Sequence, residues 1–97
     1  MNPIQPQVSP HIQTILESKG FTEAASWTLA GSAGSFRRYY RIAESGKTAI
    51  LQTNLAADED FRRFVSYGKS FAAFGFPTPE IWAVDDVFAQ VLMQDMG

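Results

Sequence analysis

Residues 31–42 read GSAGSFRRYYRI, and this stretch joins a run of small residues to a segment rich in arginine and aromatic residues. The small residues at 31–35 predict a turn, because glycine and serine adopt tight backbone conformations readily. Residues 36–43 have strand-forming side chains and predict a β-strand. Backbone N–H groups of such a turn can approach an anion closely, and arginine offers forked donors that suit phosphate. The stretch therefore predicts a hairpin that binds nucleotide phosphates.

Three other interpretations of parts of this stretch remain open. The turn at 31–35 is also typical of an ordinary flexible hairpin loop. Arg37, Arg38 and Arg41 are also typical of a solvated strand edge, where charges discourage aggregation. Arginines interleaved with aromatic residues occur in single-strand RNA binding as well. The net charge of −2 and the absence of a second basic cluster weigh against nucleic acid as a partner.

The composition sets the class of protein. Ninety-seven residues predict one domain, 1–97, with a single modest core, and 45% hydrophobic and 19% charged residues are typical of a globular domain. The absence of cysteine excludes disulfides, thiolate catalysis and cysteine-type zinc sites. No apolar run approaches the ~20 residues that span a bilayer, and no secretion signal is present. We expect a cytoplasmic protein without a membrane partner.

Hydrophobic spacing and helix signals predict the remaining elements. Ser9 and Pro10 suit a helix start, and acidic residues at 58–60 followed by spaced phenylalanines predict a second, longer helix. Residues 1–8 are expected to be loosely ordered. The predicted elements are a helix at 10–19, strands at 27–30, 36–43 and 48–53, a long helix at 57–74, and strands at 81–84 and 89–93. The expected fold class is α+β, with the long helix across one face of a five-stranded antiparallel sheet and the short N-terminal helix beside it.

Three segments, in order along the chain, resemble parts of one known family. Residues 31–41 resemble a phosphate loop with its second strand, residues 75–81 a link from a helix into a fourth strand, and residues 91–97 a fifth strand entering a hinge. The family is that of the aminoglycoside-phosphotransferase-like kinases, in the bacterial branch that phosphorylates the amino sugars N-acetylmuramate and N-acetylglucosamine. The resemblance is to the N-terminal lobe and spans about residues 10–97.

The resemblance implies a protein-kinase-like N-lobe that binds ATP in an enzyme transferring the γ-phosphoryl group to a hydroxyl of a small molecule, for example an amino sugar. It also implies that catalytic residues, Mg²⁺ ligands and the acceptor pocket belong to a C-terminal lobe beyond Gly97, so that this chain alone is inactive. The nucleotide-binding residues that it implies are Gly31, Ser32, Ala33, Gly34, Ser35, Arg38, Gln52, Gln94 and Met96. In this assignment residues 31–35 hold the phosphates, the Gln94 carbonyl accepts from the adenine amine, and the Met96 N–H donates to the ring.

The chain departs from the family pattern at two positions. Kinases of this superfamily place a lysine on strand three and pair it with a glutamate on the next helix. Here Gln52 takes the lysine position, and the middle of the long helix carries no carboxylate. We hypothesise that Arg37, Arg38 or Arg41 supplies the missing charge. Arg38 is favoured, because strand alternation puts it on one face with aromatic residues that could cover a base or ribose.

A different class of function also fits the chain. The missing lysine and glutamate are compatible with a non-catalytic, kinase-derived interaction module. Residues 94–96 are then expected only to follow from an ordinary edge strand. A lone lobe would also leave the surface near Trp82 and Phe88 uncovered, which predicts dimerisation of the isolated chain. If the protein is instead an enzyme, its expected partners are a nucleotide and a small-molecule acceptor.

Overall fold

A computed structural model describes residues 5–33, 37–73, 75 and 78–96 of the chain. The elements are α1 (Pro10–Ser18), β1 (Ser26–Ala33), β2 (Arg37–Glu44), β3 (Lys47–Thr53), α2 (Glu59–Ala73), β4 (Ile81–Asp85) and β5 (Gln90–Gln94). All neighbouring strands pair antiparallel, in the order β1-β2-β3-β5-β4. The α+β class and the five-stranded antiparallel sheet are therefore confirmed.

The pairing register divides the side chains of the sheet between two faces, because directly paired residues of antiparallel strands point to the same side. On the face that we call the α1 face, one row across the sheet is formed by Leu29, Tyr40, Leu51, Leu92 and Ala83. On the opposite face, which we call the α2 face, the neighbouring row is formed by Gly31, Tyr39, Gln52, Val91 and Val84.

Helix α1 closes the α1 face. Its side chains Ile12 and Leu16 are buried in a cluster with apolar residues from all five strands of the sheet. The Ser9 hydroxyl caps the helix by accepting from the Ile12 N–H at 3.1 Å and also donates to Asp85 at 2.7 Å. The Ser9 N–H donates to the Gln90 side chain at 3.0 Å. Because the cap is bonded to two strands, the start of α1 is fixed over β4 and β5.

Helix α2 covers part of the α2 face. It begins after Asp58, whose carboxylate accepts from the Phe61 N–H at 3.0 Å. Phe61, Phe64 and Val65 then pack in a cluster whose sheet residues come from β3, β4 and β5. None of the described side chains of β1 and β2 belongs to this cluster. Within the described residues, no helix is long and apolar enough to cross a membrane.

The beginning of the predicted turn at 31–35 is wrong. Strand β1 continues through Gly31, Ser32 and Ala33, which pair with residues 37–39 of β2. The register shifts between Leu29 and Gly31, which is the mark of a β-bulge. Pairing with a neighbouring strand outweighs the local preference of small residues for turns, since strand formation depends strongly on context. Residues 34–36 lie outside the described residues.

Candidate functional site

Four polar side chains form a connected group at one end of the α2 face, and we call this group the arginine network. It consists of Arg37 and Tyr39 on β2, Gln52 on β3 and Asn54 just after β3. The Asn54 side-chain oxygen accepts from Arg37 Nε at 3.1 Å, and Asn54 Nδ2 donates to Gln52 Oε1 at 3.0 Å. Gln52 Nε2 donates to the Tyr39 hydroxyl at 3.3 Å. The network thus links one guanidinium to two strands of the sheet.

Gln52, at the position that the resemblance gives to a lysine, lies inside the protein. It has no exposed surface, and both ends of its amide bond to other members of the network. A buried amide whose hydrogen bonds are made stabilises its neighbours instead of leaving a polar group unpaired. In this conformation Gln52 has no exposed surface, and its amide links Tyr39 to Asn54.

Arg41 occupies the same face in the middle of β2, two residues beyond Tyr39. Its Nε donates to Asp95 at 2.8 Å, and the Asp95 side chain is only 7% exposed. This ion pair joins β2 to the residue between Gln94 and Met96. Because Asp95 offsets its charge, Arg41 is less available to an anion than an arginine without a carboxylate. Its main effect is to fix the segment that follows β5.

Arg38 lies apart from the other two arginines. It pairs with Ser32 and Thr53, in a row on the α1 face, and its side chain is exposed. Gln52 points to the opposite face of the sheet, because it pairs directly with Tyr39. The structure therefore does not bring together Arg38 and Gln52, which the sequence assigned to one site. It brings Arg37 to Gln52 instead.

The glycine-rich segment is described only in part. Gly31, Ser32 and Ala33 lie in β1, while Gly34 and Ser35 lie outside the described residues. A Cβ added at Gly31 would meet no heavy atom of the described residues within 4 Å. Because Gly31 pairs with Tyr39, this open space is on the α2 face, beside the arginine network.

Gln94 and Met96 lie at the end of β5, and the Gln94 side chain is on the α1 face, because its pairing partner Ala49 belongs to the α1-face cluster. Gln94 ends β5, and its N–H donates to the Glu80 carbonyl at 2.8 Å. Met96 follows the strand and is 57% exposed. Gln94 pairs with Ala49, whereas the arginine network surrounds Asn54, five residues further along the chain. At the rise of a β-strand this separation is about 17 Å, comparable to an extended nucleoside triphosphate.

Three residues that contribute to this geometry were not identified from the sequence. Asn54 follows a strand and resembles an ordinary loop residue, and Phe64 is one of several phenylalanines with helical spacing. Asp95 is flanked by uncharged residues at the end of a strand. An acidic residue there, opposite the arginines of β2, is a signal that could have suggested an ion pair.

The described residues contain no group of three or more His, Asp or Glu side chains that could hold a metal ion. The features present are a guanidinium, hydrogen-bond donors and an open strand surface, and these suit an anionic or hydrogen-bonding ligand.

Comparisons with known proteins add no relative to this description. No family model matches the chain, and no curated protein shows significant similarity to it.

Proposed function

We propose that this chain is the nucleotide-binding lobe of an ATP-dependent phosphotransferase that acts on a hydroxyl of a small molecule, for example an amino sugar. The single observation that carries the proposal is the arrangement of the α2 face. A guanidinium and an open strand surface lie together at one end of β3, and the exposed residue Met96 follows β5 near the other end. The distance between the two ends suits a nucleoside triphosphate.

Each end of this face has a separate part in the proposal. The Gln94 carbonyl and the Met96 N–H bind the adenine edge, as the resemblance implies. The phosphates lie near the β1–β2 hairpin, where Arg37 provides positive charge on a chain of net charge −2. ATP fits the residues present, because they offer a cation and backbone donors. When ATP is bound with Mg²⁺, its γ-phosphoryl group is the group transferred, and the metal ligands and catalytic residues belong to a further lobe.

A non-catalytic interaction module is the second candidate, and Gln52 is the observation that favours it. The residue at the lysine position is uncharged and fully buried, so it cannot hold phosphates. Dimerisation of the isolated chain belongs to this candidate. Val87 is 90% exposed and Leu29 53% exposed, and both could contribute to such contacts. The two candidates differ in whether a nucleotide binds to the α2 face.

Nuclear magnetic resonance of the ¹⁵N-labelled chain distinguishes them. We expect a non-hydrolysable ATP analogue, at millimolar concentration, to shift the backbone amide signals of Met96 and of Gly31 to Ala33. Adenosine should shift the Met96 signal and leave the β1 signals nearly unchanged, because it lacks phosphates. Shifts confined to the α1 face, or no shifts in the full-length gene product, would contradict the proposed function. A phosphoryl-transfer assay of the full-length product with amino sugars then tests the acceptor.

A further inference from the structure

Asn54 holds a fixed orientation at the end of β3. Its backbone N–H donates to the Ala89 carbonyl at 3.0 Å, and its Nδ2 donates to the same carbonyl at 3.1 Å and to Gln52 Oε1 at 3.0 Å. An amide nitrogen has two hydrogens, and both have acceptors here. The remaining atom, Oδ1, must therefore point the other way, where it accepts from Arg37 Nε at 3.1 Å.

The acceptor that fixes Asn54 is itself held in place. Ala89 is buried, with 1% of its surface exposed, and its φ of 54° lies in the left-handed region that residues with a side chain rarely adopt. Such a conformation persists only where the surrounding structure requires it. The turn between β4 and β5 therefore presents one carbonyl to Asn54, and Asn54 transmits that position to Arg37.

Phe64 contacts the same guanidinium from helix α2. The Arg37 Cζ atom lies 5.4 Å from the centre of the Phe64 ring, within the range of a cation–π interaction. This contact links the arginine to the helix without a carboxylate. An aromatic ring leaves the positive charge in place, whereas a glutamate would offset it.

Among the described residues, only one guanidinium nitrogen of Arg37 has a hydrogen-bond partner. Arginine has five N–H donors, and bonds to described residues use only Nε. Within the described part of the chain no carboxylate pairs with Arg37, in contrast to Arg41 and Arg63. The two terminal nitrogens form the planar fork that binds phosphate oxygens in pairs.

We propose that Arg37 is the phosphate-binding cation of this site and that Asn54 and Phe64 are its positioning residues. The inference rests on the proposed function, because it needs a nucleotide on the α2 face. Arg37 then takes the part that the resemblance gives to a lysine on β3, and Phe64 takes that of the helix glutamate. The arrangement explains how a lobe with a buried Gln52 can still hold a triphosphate.

The test measures the dissociation constants of the full-length gene product for ATP and for adenosine by calorimetry. Arg37→Ala should raise the dissociation constant for ATP about ten- to a hundredfold, because a hydrogen bond to a charged group contributes a free energy in that range. The dissociation constant for adenosine should stay unchanged within about twofold. Arg37→Lys should recover part of the loss, because it restores the charge without the fork. Arg38→Ala is the matched control and should bind ATP as the unmodified protein does.

A double-mutant cycle tests the positioning residue. Asn54→Ala alone should weaken ATP binding. The double variant Arg37→Ala/Asn54→Ala should bind ATP no more weakly than Arg37→Ala does. If Asn54 had only a structural role, Asn54→Ala would weaken ATP binding by the same factor in the unmodified protein and in Arg37→Ala. Thermal unfolding of each variant, measured by circular dichroism, shows whether the fold is retained, and Arg37→Lys replaces Arg37→Ala if the latter does not fold.

The outcomes separate this inference from the proposed function. If the unmodified protein binds neither ATP nor adenosine, the proposed function is wrong. If it binds both, but Arg37→Ala binds ATP unchanged, the proposed function stands and the role of Arg37 is overturned. Loss of ATP binding in Arg38→Ala, with Arg37→Ala unaffected, would likewise overturn the inference and return the phosphate site to the α1 face.

Discussion

The α1 face and the α2 face of this sheet are completed in different ways. On the α1 face Leu51 and Leu92 have no exposed surface, and the apolar cluster extends across β2 to β1. On the α2 face the cluster ends at β3, and β2 carries Arg37, Tyr39 and Arg41 instead. A face shaped only for stability would continue the apolar cluster, as the α1 face does. The difference supports the proposal that the polar half of the α2 face binds a ligand, whereas the α1 face serves stability.

The largest effect on stability should come from a substitution on the α1 face. Leu51→Ala removes a fully buried side chain and leaves a cavity, so we expect a loss of about 2–5 kcal/mol in the free energy of unfolding. The free energy of unfolding of such domains is roughly 5–15 kcal/mol in total, so the expected loss is a large part of it. Urea denaturation measures it. Leu55→Ala, at a side chain that is 74% exposed, is the control and should change stability by less than about 0.5 kcal/mol.

The ion pair between Arg41 and Asp95 tests how much the polar half of the α2 face contributes to stability. Asp95 is nearly buried, and a hydrogen bond between charged groups is stronger than one at the surface, so a double-mutant cycle should give a coupling of about 1–2 kcal/mol. The exposed pair of Arg63 and Glu59 is the control and should give about 0.3–0.5 kcal/mol. Equal couplings for the two pairs would mean that Asp95 is hydrated in solution.

The sequence patterns predicted the sheet of this fold correctly, but not which residues come together in the candidate site. The alternation in residues 37–42 correctly separates Arg37, Tyr39 and Arg41 from Arg38 and Ile42. It cannot say which face is open, because that depends on the places where the helices pack. The order β3-β5-β4 brings Asn54 to Ala89, 35 residues away, and no local pattern encodes this contact.

Acid should destabilise the edges of the α1 face through two carboxylates. The pKa of Glu44 is lowered mainly because the Thr22 hydroxyl donates to it, and the pKa of Asp85 is lowered by the Phe88 N–H and then by the Ser9 hydroxyl. A carboxyl with a lowered pKa binds fewer protons in the folded state than in the unfolded state. Stability is therefore present above its ordinary value, about 4, and is lost as the pH falls through the folded-state pKa.

Glu44→Gln tests this pH dependence. The variant has no charge to titrate at position 44, so its stability should fall less steeply with decreasing pH below about 4. Denaturant unfolding between neutral and strongly acidic pH measures the slope. Thr22→Val removes the donor hydroxyl and should flatten the curve in part. An unchanged slope in both variants would show that the bonds between Thr22 and Glu44 do not persist in solution.

The smallest effect should come from Gly68, at the contact of α2 with β4. A Cβ added there would lie 3.2 Å from Ile81 Cδ1, which is closer than most real contacts. That atom is the end of a flexible, half-buried side chain, so it can move by a few tenths of an ångström. Alanine also favours a helix over glycine by up to about 1 kcal/mol. We expect Gly68→Ala to stabilise the chain by a few tenths of a kcal/mol, measured by urea unfolding.

Gly68→Val supplies the contrast, because its branched side chain cannot fit above Ile81 and has a lower helix propensity, so it should destabilise the chain. If Gly68→Ala already lowers stability by more than about 1 kcal/mol, the helix sits too tightly on β4 to shift. The α2 face would then be as closely packed beneath its helix as the α1 face. The two faces would then differ only in their β1–β2 halves, where the α2 face carries the arginine network.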